Sequence, residues 1–258
     1  MLIGRLRAFV LFLGFWVSAV LSQENPLPDT IVAIKPSIVA VGTYQRTRSP
    51  PAIFRGTGFA VADGTYVLTN AHVLPEALDK AKFETLAVFF KSRKKDKLRG
   101  AKVVALDKRH DVALLKIAGS PLKALKLGDS RQVREGQRFA FTGFPIGMIL
   151  GLYPVTHEGI VSSITPIAIP TLKARYLDPK LLRRLQEPYR VFQLDATAYP
   201  GNSGSPLYDQ RSGDVIGIIN KVFIKESKEN LLSKPSGISY AIPIQYAKRL
   251  LSQKGLKY

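Results

Sequence analysis

Three short motifs in this chain carry the residue types that hydrolysis of an amide needs, in the order histidine, aspartate, serine. The first is Thr69-Asn70-Ala71-His72-Val73, directly behind an apolar run. The second is His110-Asp111-Val112-Ala113-Leu114-Leu115-Lys116-Ile117, an aspartate opening another. The third is Gly201-Asn202-Ser203-Gly204-Ser205-Pro206-Leu207. Nucleophilic cleavage needs a hydroxyl, a base for its proton, a carboxylate to fix the base's tautomer and backbone donors for the developing oxyanion. Ser203, set between glycines, can present its Oγ on a tight turn. His72 can act as the base and Asp111 can orient it. With no side chain at Gly201, its N–H and that of Ser203 can point into one small hole. Singly, each motif reads as a strand-end histidine, a turn aspartate or a glycine turn. Their joint order and context favour the chemistry.

The α/β-hydrolase elbow is excluded. That motif is Gly-x-Ser-x-Gly with the histidine last in the chain, whereas here Ser205 holds the last position and His72 comes first. His110 adjoins Asp111, but neighbours along a strand face opposite ways, so a surface position is expected. His157 reads as structural. Three dispersed histidines and no cysteine give no metal site, and no cofactor is expected.

The elements that must position these residues read as strands. Runs rich in Val, Ile, Phe and Thr, bounded by Gly, Pro and Asp, occur at Ser37–Tyr44, Gly58–Ala62, Tyr66–Asn70, Leu86–Phe90, Lys102–Leu106 and Val112–Ile117. A second group covers Arg138–Gly143, Gly159–Ile164, Val191–Leu194, Val215–Asn220 and Ser239–Ile242. So many short strands predict an all-β barrel or sandwich. Asp63-Gly64 marks a hairpin turn. Two helices are expected: Pro179 to Gln186, capped by Asp178, and Gln245 to Gln253, with Tyr246, Leu250 and Leu251 on one face. The polar, basic stretch Leu122–Glu135 reads as the linker between two halves.

Residues 1–22 read as a signal peptide: Arg5 and Arg7, an apolar run from Ala8 to Leu21, and small Val20 and Ser22 before a mature start at Gln23. An uncleaved anchor is the alternative, though the run is short for a span of ~20 residues. Lack of cysteine rules out disulfides and a lipidated N-terminal cysteine. A hydrophobic content of 46 % is enough to fill a core without them. The formal net charge is +19, or +17 without residues 1–22. Such a field attracts anionic lipid, acidic polysaccharide or nucleic acid. Nucleic acid is not expected for an exported chain.

The three motifs resemble those of trypsin-like serine proteases of the HtrA/Deg type. Gly56-Thr57-Gly58-Phe59 is similar to that family's Gly-Ser-Gly-Phe strand. Thr142-Gly143-Phe144-Pro145 and Val155-Thr156-His157-Glu158-Gly159-Ile160-Val161-Ser162 are similar to its Gly-Asn-Pro and Val-Thr…Gly-Ile-Val-Ser stretches. Gln193-Leu194-Asp195-Ala196, Val215-Ile216-Gly217-Ile218 and Tyr240-Ala241-Ile242-Pro243 extend the match over most of residues 23–258. The resemblance implies two six-stranded antiparallel Greek-key β-barrels, about 30–125 and about 136–258, with a C-terminal helix. It also implies a pocket base at Thr197, six residues before the serine, with Ala198, Ile218, Ile219 and Asn220 along its wall. An uncharged base implies cleavage after small to medium apolar residues.

Ser205 departs from the family's glycine. Two stretches, Glu76–Gly100 and Thr165–Arg190, read as insertions, and both are basic. Too few residues follow the last helix for a peptide-binding PDZ module. Relatives often trimerise, but no residue pattern here specifies an oligomer. The expected function is an exported, periplasmic or secreted serine endopeptidase acting on polypeptides. The alternative is a catalytically silent cationic module that binds anionic surfaces or proteins.

Overall fold

Runs that are apolar on both faces make strands with one face inside a barrel and the other against a neighbouring layer. In the computed structural model of the chain, residues 25–92, 95–145, 151–167, 189–220 and 237–258 are described. A short helix α1 (Leu27–Ile34) leads into β1 (Ile38–Tyr44), β2 (Ala52–Val61), β3 (Tyr66–Thr69), β4 (Thr85–Ser92), β5 (Lys95–Asp107) and β6 (Val112–Ile117). These six close into an antiparallel barrel in the order β1-β2-β3-β6-β5-β4. The remaining strands are β7 (Arg138–Gly143), β8 (Val155–Pro166), β9 (Arg190–Asp195), β10 (Pro206–Asp209), β11 (Val215–Asn220) and β12 (Ile238–Pro243), followed by α2 (Gln245–Ser252). They close in the equivalent order, β7-β8-β9-β12-β11-β10. Closure pairs every edge strand.

Strand β1 shows how continuous burial arises. Val39 and Val41 join Val67, Val88 and Leu115 in one apolar cluster. Ile38 and Ala40 face the other way, into a cluster shared by both barrels that includes Phe59, Leu114, Tyr208 and Ile242. A third cluster, with Phe141, Phe192, Leu194 and Leu207, belongs to the second barrel. Fully burying one such side chain contributes ~1.5–3 kcal/mol.

The expected hairpin lies between β2 and β3, around Asp63-Gly64. The linker is pinned rather than loose. Leu122 and Leu125 donate to Gly64 and Ala60 of the first barrel, while Gly128 donates to Val215 of the second. The final helix docks back on the linker, where Ser130 Oγ accepts the Gln245 N–H.

Several expectations change. Helix α1 and strand β10 were not anticipated. The stretch 76–100, read as an insertion, contains β4 and the start of β5, so Lys91, Lys95, Lys97 and Arg99 sit on a barrel hairpin. The helix expected from Pro179 to Gln186, and most of the second basic stretch, lie outside the described residues. So does the expected signal segment. Among the described residues no helix is long and apolar enough to cross a membrane.

Candidate active site

His72 lies on a 3₁₀ turn, Ala71–Val73, directly after β3, and Asp111 is the residue before β6. Strands β3 and β6 are paired, with Thr69 opposite Ala113, so the two residues emerge side by side. The His72 Nδ1–H donates to Asp111 Oδ2 at 2.6 Å, and the His72 backbone N–H donates to Oδ1 at 2.8 Å. One carboxylate thereby fixes both the ring and its backbone. Asn220 of β11 donates its Nδ2–H to Asp111 Oδ2 at 2.8 Å, reaching across from the second barrel.

Asp111 has a φ of 55°, left-handed for a residue with a side chain. Aspartate tolerates that region better than most, and further bonds lock it. Its carbonyl accepts from the Asn70 Nδ2–H at 3.0 Å and the Ala71 N–H at 3.2 Å. Arg55 steadies the other end of the histidine turn by donating from Nε to the Val73 carbonyl at 2.8 Å.

Ser203 lies between β9 and β10 on a loop whose glycines have positive φ, 99° at Gly201 and 89° at Gly204. Any Cβ at Gly204 would overlap the Thr57 carbonyl oxygen, so only glycine fits. Asn202, Gly204 and Ser205 donate their N–H groups to Tyr199, Ile219 and Asn202 carbonyls. The N–H groups of Gly201 and Ser203 make no hydrogen bond among the described residues. They are the two expected in the oxyanion hole. Ser203 Oγ likewise makes none. The halves meet at Gly56, where a Cβ would come within 2.6 Å of Val73 Cγ2 and 2.8 Å of the Ser203 carbonyl.

The expected pocket residues divide between two faces of β11. Ala198 and Ile219 share the second barrel's cluster, whereas Ile218 packs into the cluster between barrels. Strand alternation forces that division. Asn220, expected along the pocket wall, donates its amide N–H to Asp111. Upstream, Ser239 Oγ accepts the Ala198 N–H at 2.9 Å and donates to the Ala196 carbonyl at 2.6 Å, fixing the backbone on either side of Thr197.

His110 does not sit on the surface. It donates from Nδ1 to Asp107 at 2.6 Å, stacks on Tyr246 at 4.1 Å and meets Tyr189 edge-on at 4.7 Å. The left-handed Asp111 interrupts the strand geometry that alternation assumes. His157 stacks on Phe141 at 5.0 Å with its Nε2 buried and unpartnered. Burial pushes its pKa below the ordinary value, favouring the neutral ring. No group of His, Cys, Asp or Glu among the described residues could hold a metal ion.

Paired barrels, one bearing a histidine–aspartate pair and the other a glycine-bounded serine, define the chymotrypsin-like class of serine-hydrolase folds. The chain belongs to the trypsin-like peptidase family, whose trypsin-like peptidase domain model matches residues 56–218. It is 34 % identical over 199 residues to a probable periplasmic serine endoprotease, DegP-like, of Pseudomonas fluorescens, covering 77 % of this chain and 34 % of that protein. A DegP-like protein of Halomonas elongata is 32 % identical over 198 residues, covering 77 % and 34 %. The chain thus spans about a third of the length of the curated relatives it matches. Among solved structures, an HtrA-type protease, AlgW with a tripeptide, superposes with TM-score 0.61 at 25 % identity, covering 89 % of this chain and 64 % of that one. The active form of the Rv3671c protease of M. tuberculosis shares the fold, with TM-score 0.62 at 22 % identity and coverage of 89 % and 85 %.

Proposed function

We propose that the chain is an exported serine endopeptidase working through an acyl-enzyme. The observation that carries this is a fixed histidine–aspartate couple together with a serine loop whose N–H groups at Gly201 and Ser203 are unclaimed among the described residues. Ser203 Oγ attacks the scissile carbonyl carbon and His72 Nε2 takes the hydroxyl proton. Asp111 stays ionised and holds Nδ1–H, so that Nε2 is the basic nitrogen. The oxyanion is received by the Gly201 and Ser203 N–H groups. Collapse expels the amine with the proton from His72, leaving an ester on Ser203. Water then repeats the sequence with His72 as base, releasing the acid and restoring the serine.

Thr197, Ala198 and Ile219 supply the side chains of the primary pocket, and none carries a charge to pair with arginine or lysine. Residues 1–22 direct export, consistent with relatives named as periplasmic. The test is cleavage of unstructured polypeptide and quenched peptides by the purified chain, with turnover lost in Ser203→Ala. Substantial turnover by that variant would refute the assignment.

The exposed cations of the β4–β5 hairpin, Lys95, Lys97 and Lys102, provide an attachment to an anionic envelope surface, lipid or polysaccharide. Screening lengths fall from ~10 Å at 0.1 M salt to ~3 Å at 1 M. Retention of the Ser203→Ala chain on anionic vesicles or acidic polysaccharide should therefore disappear over that range. Salt-independent retention, or none at low salt, excludes the attachment.

A further inference from the structure

We propose that Thr57 is a positioning residue for the reaction, its hydroxyl clamping the Gly201 carbonyl so that the two free N–H groups of the serine loop stay convergent. The proposal rests on the catalytic reading of Ser203 given above. Thr57 is fully buried on β2, in the first barrel. Its Oγ1–H donates to the Gly201 carbonyl at 2.7 Å, and the same oxygen accepts the Phe144 N–H at 3.0 Å. Its backbone N–H donates to the Ser203 carbonyl at 2.8 Å, and its own carbonyl accepts from Thr69 Oγ1 at 2.6 Å. One residue therefore grips the carbonyls of both residues whose N–H groups are unclaimed.

Gly201 is where such a grip matters. Lacking a Cβ, it turns freely between its two peptide planes, and a bond to its carbonyl restrains that freedom and with it the direction of its N–H. Other polar side chains nearby do not serve. Asn202 Oδ1 and Nδ2 and Ser205 Oγ are buried without hydrogen-bond partners among the described residues. The site is also closed in. A Cβ at Gly143 would come within 2.8 Å of Thr57 Oγ1, and one at Gly204 would overlap the Thr57 carbonyl. Replacing the hydroxyl by a methyl would leave the Gly201 carbonyl and the Phe144 N–H both without this partner. Because Thr57 belongs to one barrel and its partners to the other, the clamp ties barrel docking to the geometry of the oxyanion donors.

The experiment compares Thr57→Val, which keeps shape but loses the hydroxyl, with Thr57→Ser, which keeps it. Rates are normalised to sites titrated with a fluorophosphonate, so misfolded molecules do not count. Thr57→Val is expected to lower kcat by roughly 30- to 300-fold, in the range of a lost or misplaced oxyanion donor. KM should stay within about threefold, because ground-state binding does not use the hole. Affinity for a peptide boronic acid, a tetrahedral mimic, should fall in parallel with kcat/KM, and Thr57→Ser should keep kcat within about threefold. A merely structural role would lower the melting temperature and the titratable fraction without separating kcat from KM. Should the valine variant not fold, Thr57→Ala read against Thr57→Ser decides in the same way. The proposal is overturned by a folded Val or Ala variant turning over at the wild-type rate per site, or by a serine variant as impaired as alanine. Absence of Ser203-dependent turnover in the wild type would instead overturn the peptidase reading.

Discussion

The two barrels share one strand order, yet they position their proposed catalytic residues in different ways. The first places His72 and Asp111 at adjacent strand ends and binds them with hydrogen bonds to ring, backbone and carboxylate. The second carries Ser203 on a glycine loop whose buried Asn202 and Ser205 side chains find no partner among the described residues. That loop is held from both barrels, by Thr57 across the interface and by the neighbouring strand β11 of its own barrel. The proposed base is thus held mainly by its own barrel, with Asn220 added from the other, while the proposed nucleophile's loop takes both carbonyl clamps at Gly201 and Ser203 from the opposite barrel. Rigid elements make precise sites, and loops need a supporting shell.

Losing either half of the chemistry should be equally severe, and this is the largest effect expected. Ser203→Ala and His72→Ala should each reduce kcat by roughly 10⁴–10⁶-fold, with the double variant scarcely worse. Additive losses in steady-state kinetics would mean that the barrels do not act as one unit. On the serine side, peptide profiling should show Val, Ala, Ile or Leu at the cleaved position, each well-fitted contact contributing ~1–3 kcal/mol to discrimination. A preference for Arg or Lys would remove Thr197, Ala198 and Ile219 from the pocket.

Packing behind the nucleophile gives a sharper contrast. A Cβ at Gly143 would overlap Ser205 Oγ, so Gly143→Ala should lower unfolding free energy by ~1–3 kcal/mol. Adding Ser205→Gly should recover part of that loss in denaturant titrations. Independent, additive costs would show that the two positions are not in contact.

The smallest effect belongs to the first barrel. Glu84 has its pKa lowered from 4.5 to about 2, by the Asp79 N–H first, then Thr43 and Arg48. A depressed carboxylate stabilises the fold above its unfolded pKa and loses that contribution as pH falls from 4.5 to about 2. Glu84→Gln should therefore cost about 1 kcal/mol at neutral pH, discounted for solvent screening. The gap from wild type should close across that acid window. A gap independent of pH would mean the charge on Glu84 contributes nothing.

Much of this was legible in the sequence, for identifiable reasons. Val112–Ile117, Arg138–Gly143 and Val215–Asn220 are strands with the expected bounds, because each is a continuous apolar run ending in turn residues. Strand β10 escaped because it is four residues long, begins with Pro206 and is embedded in the serine motif. Helix α1 escaped because Pro28 and β-branched Thr30, Ile31 and Val32 do not read as helix. Its Thr30 hydroxyl is anchored to the Gln210 carbonyl, 180 residues away, a tertiary bond that local propensity cannot register. The three reactive motifs were visible as residue types, but their supporting residues were not. Nothing in Gly-Thr-Gly tells that Thr57 reaches Gly201, and the family resemblance that put Asn220 on a pocket wall gave no sign of its bond to Asp111. Such contacts span the barrel interface, so they appear only when the fold is assembled.

The most direct test of the central claim is labelling with a fluorophosphonate followed by peptide mapping, on wild type, His72→Ala and Ser203→Ala. The account predicts one phosphonyl group on Ser203 in the wild type, labelling slowed at least roughly 100-fold without His72, and none without Ser203. Wild-type chain that leaves Ser203 unmodified, or labelling at equal speed without His72, would contradict it.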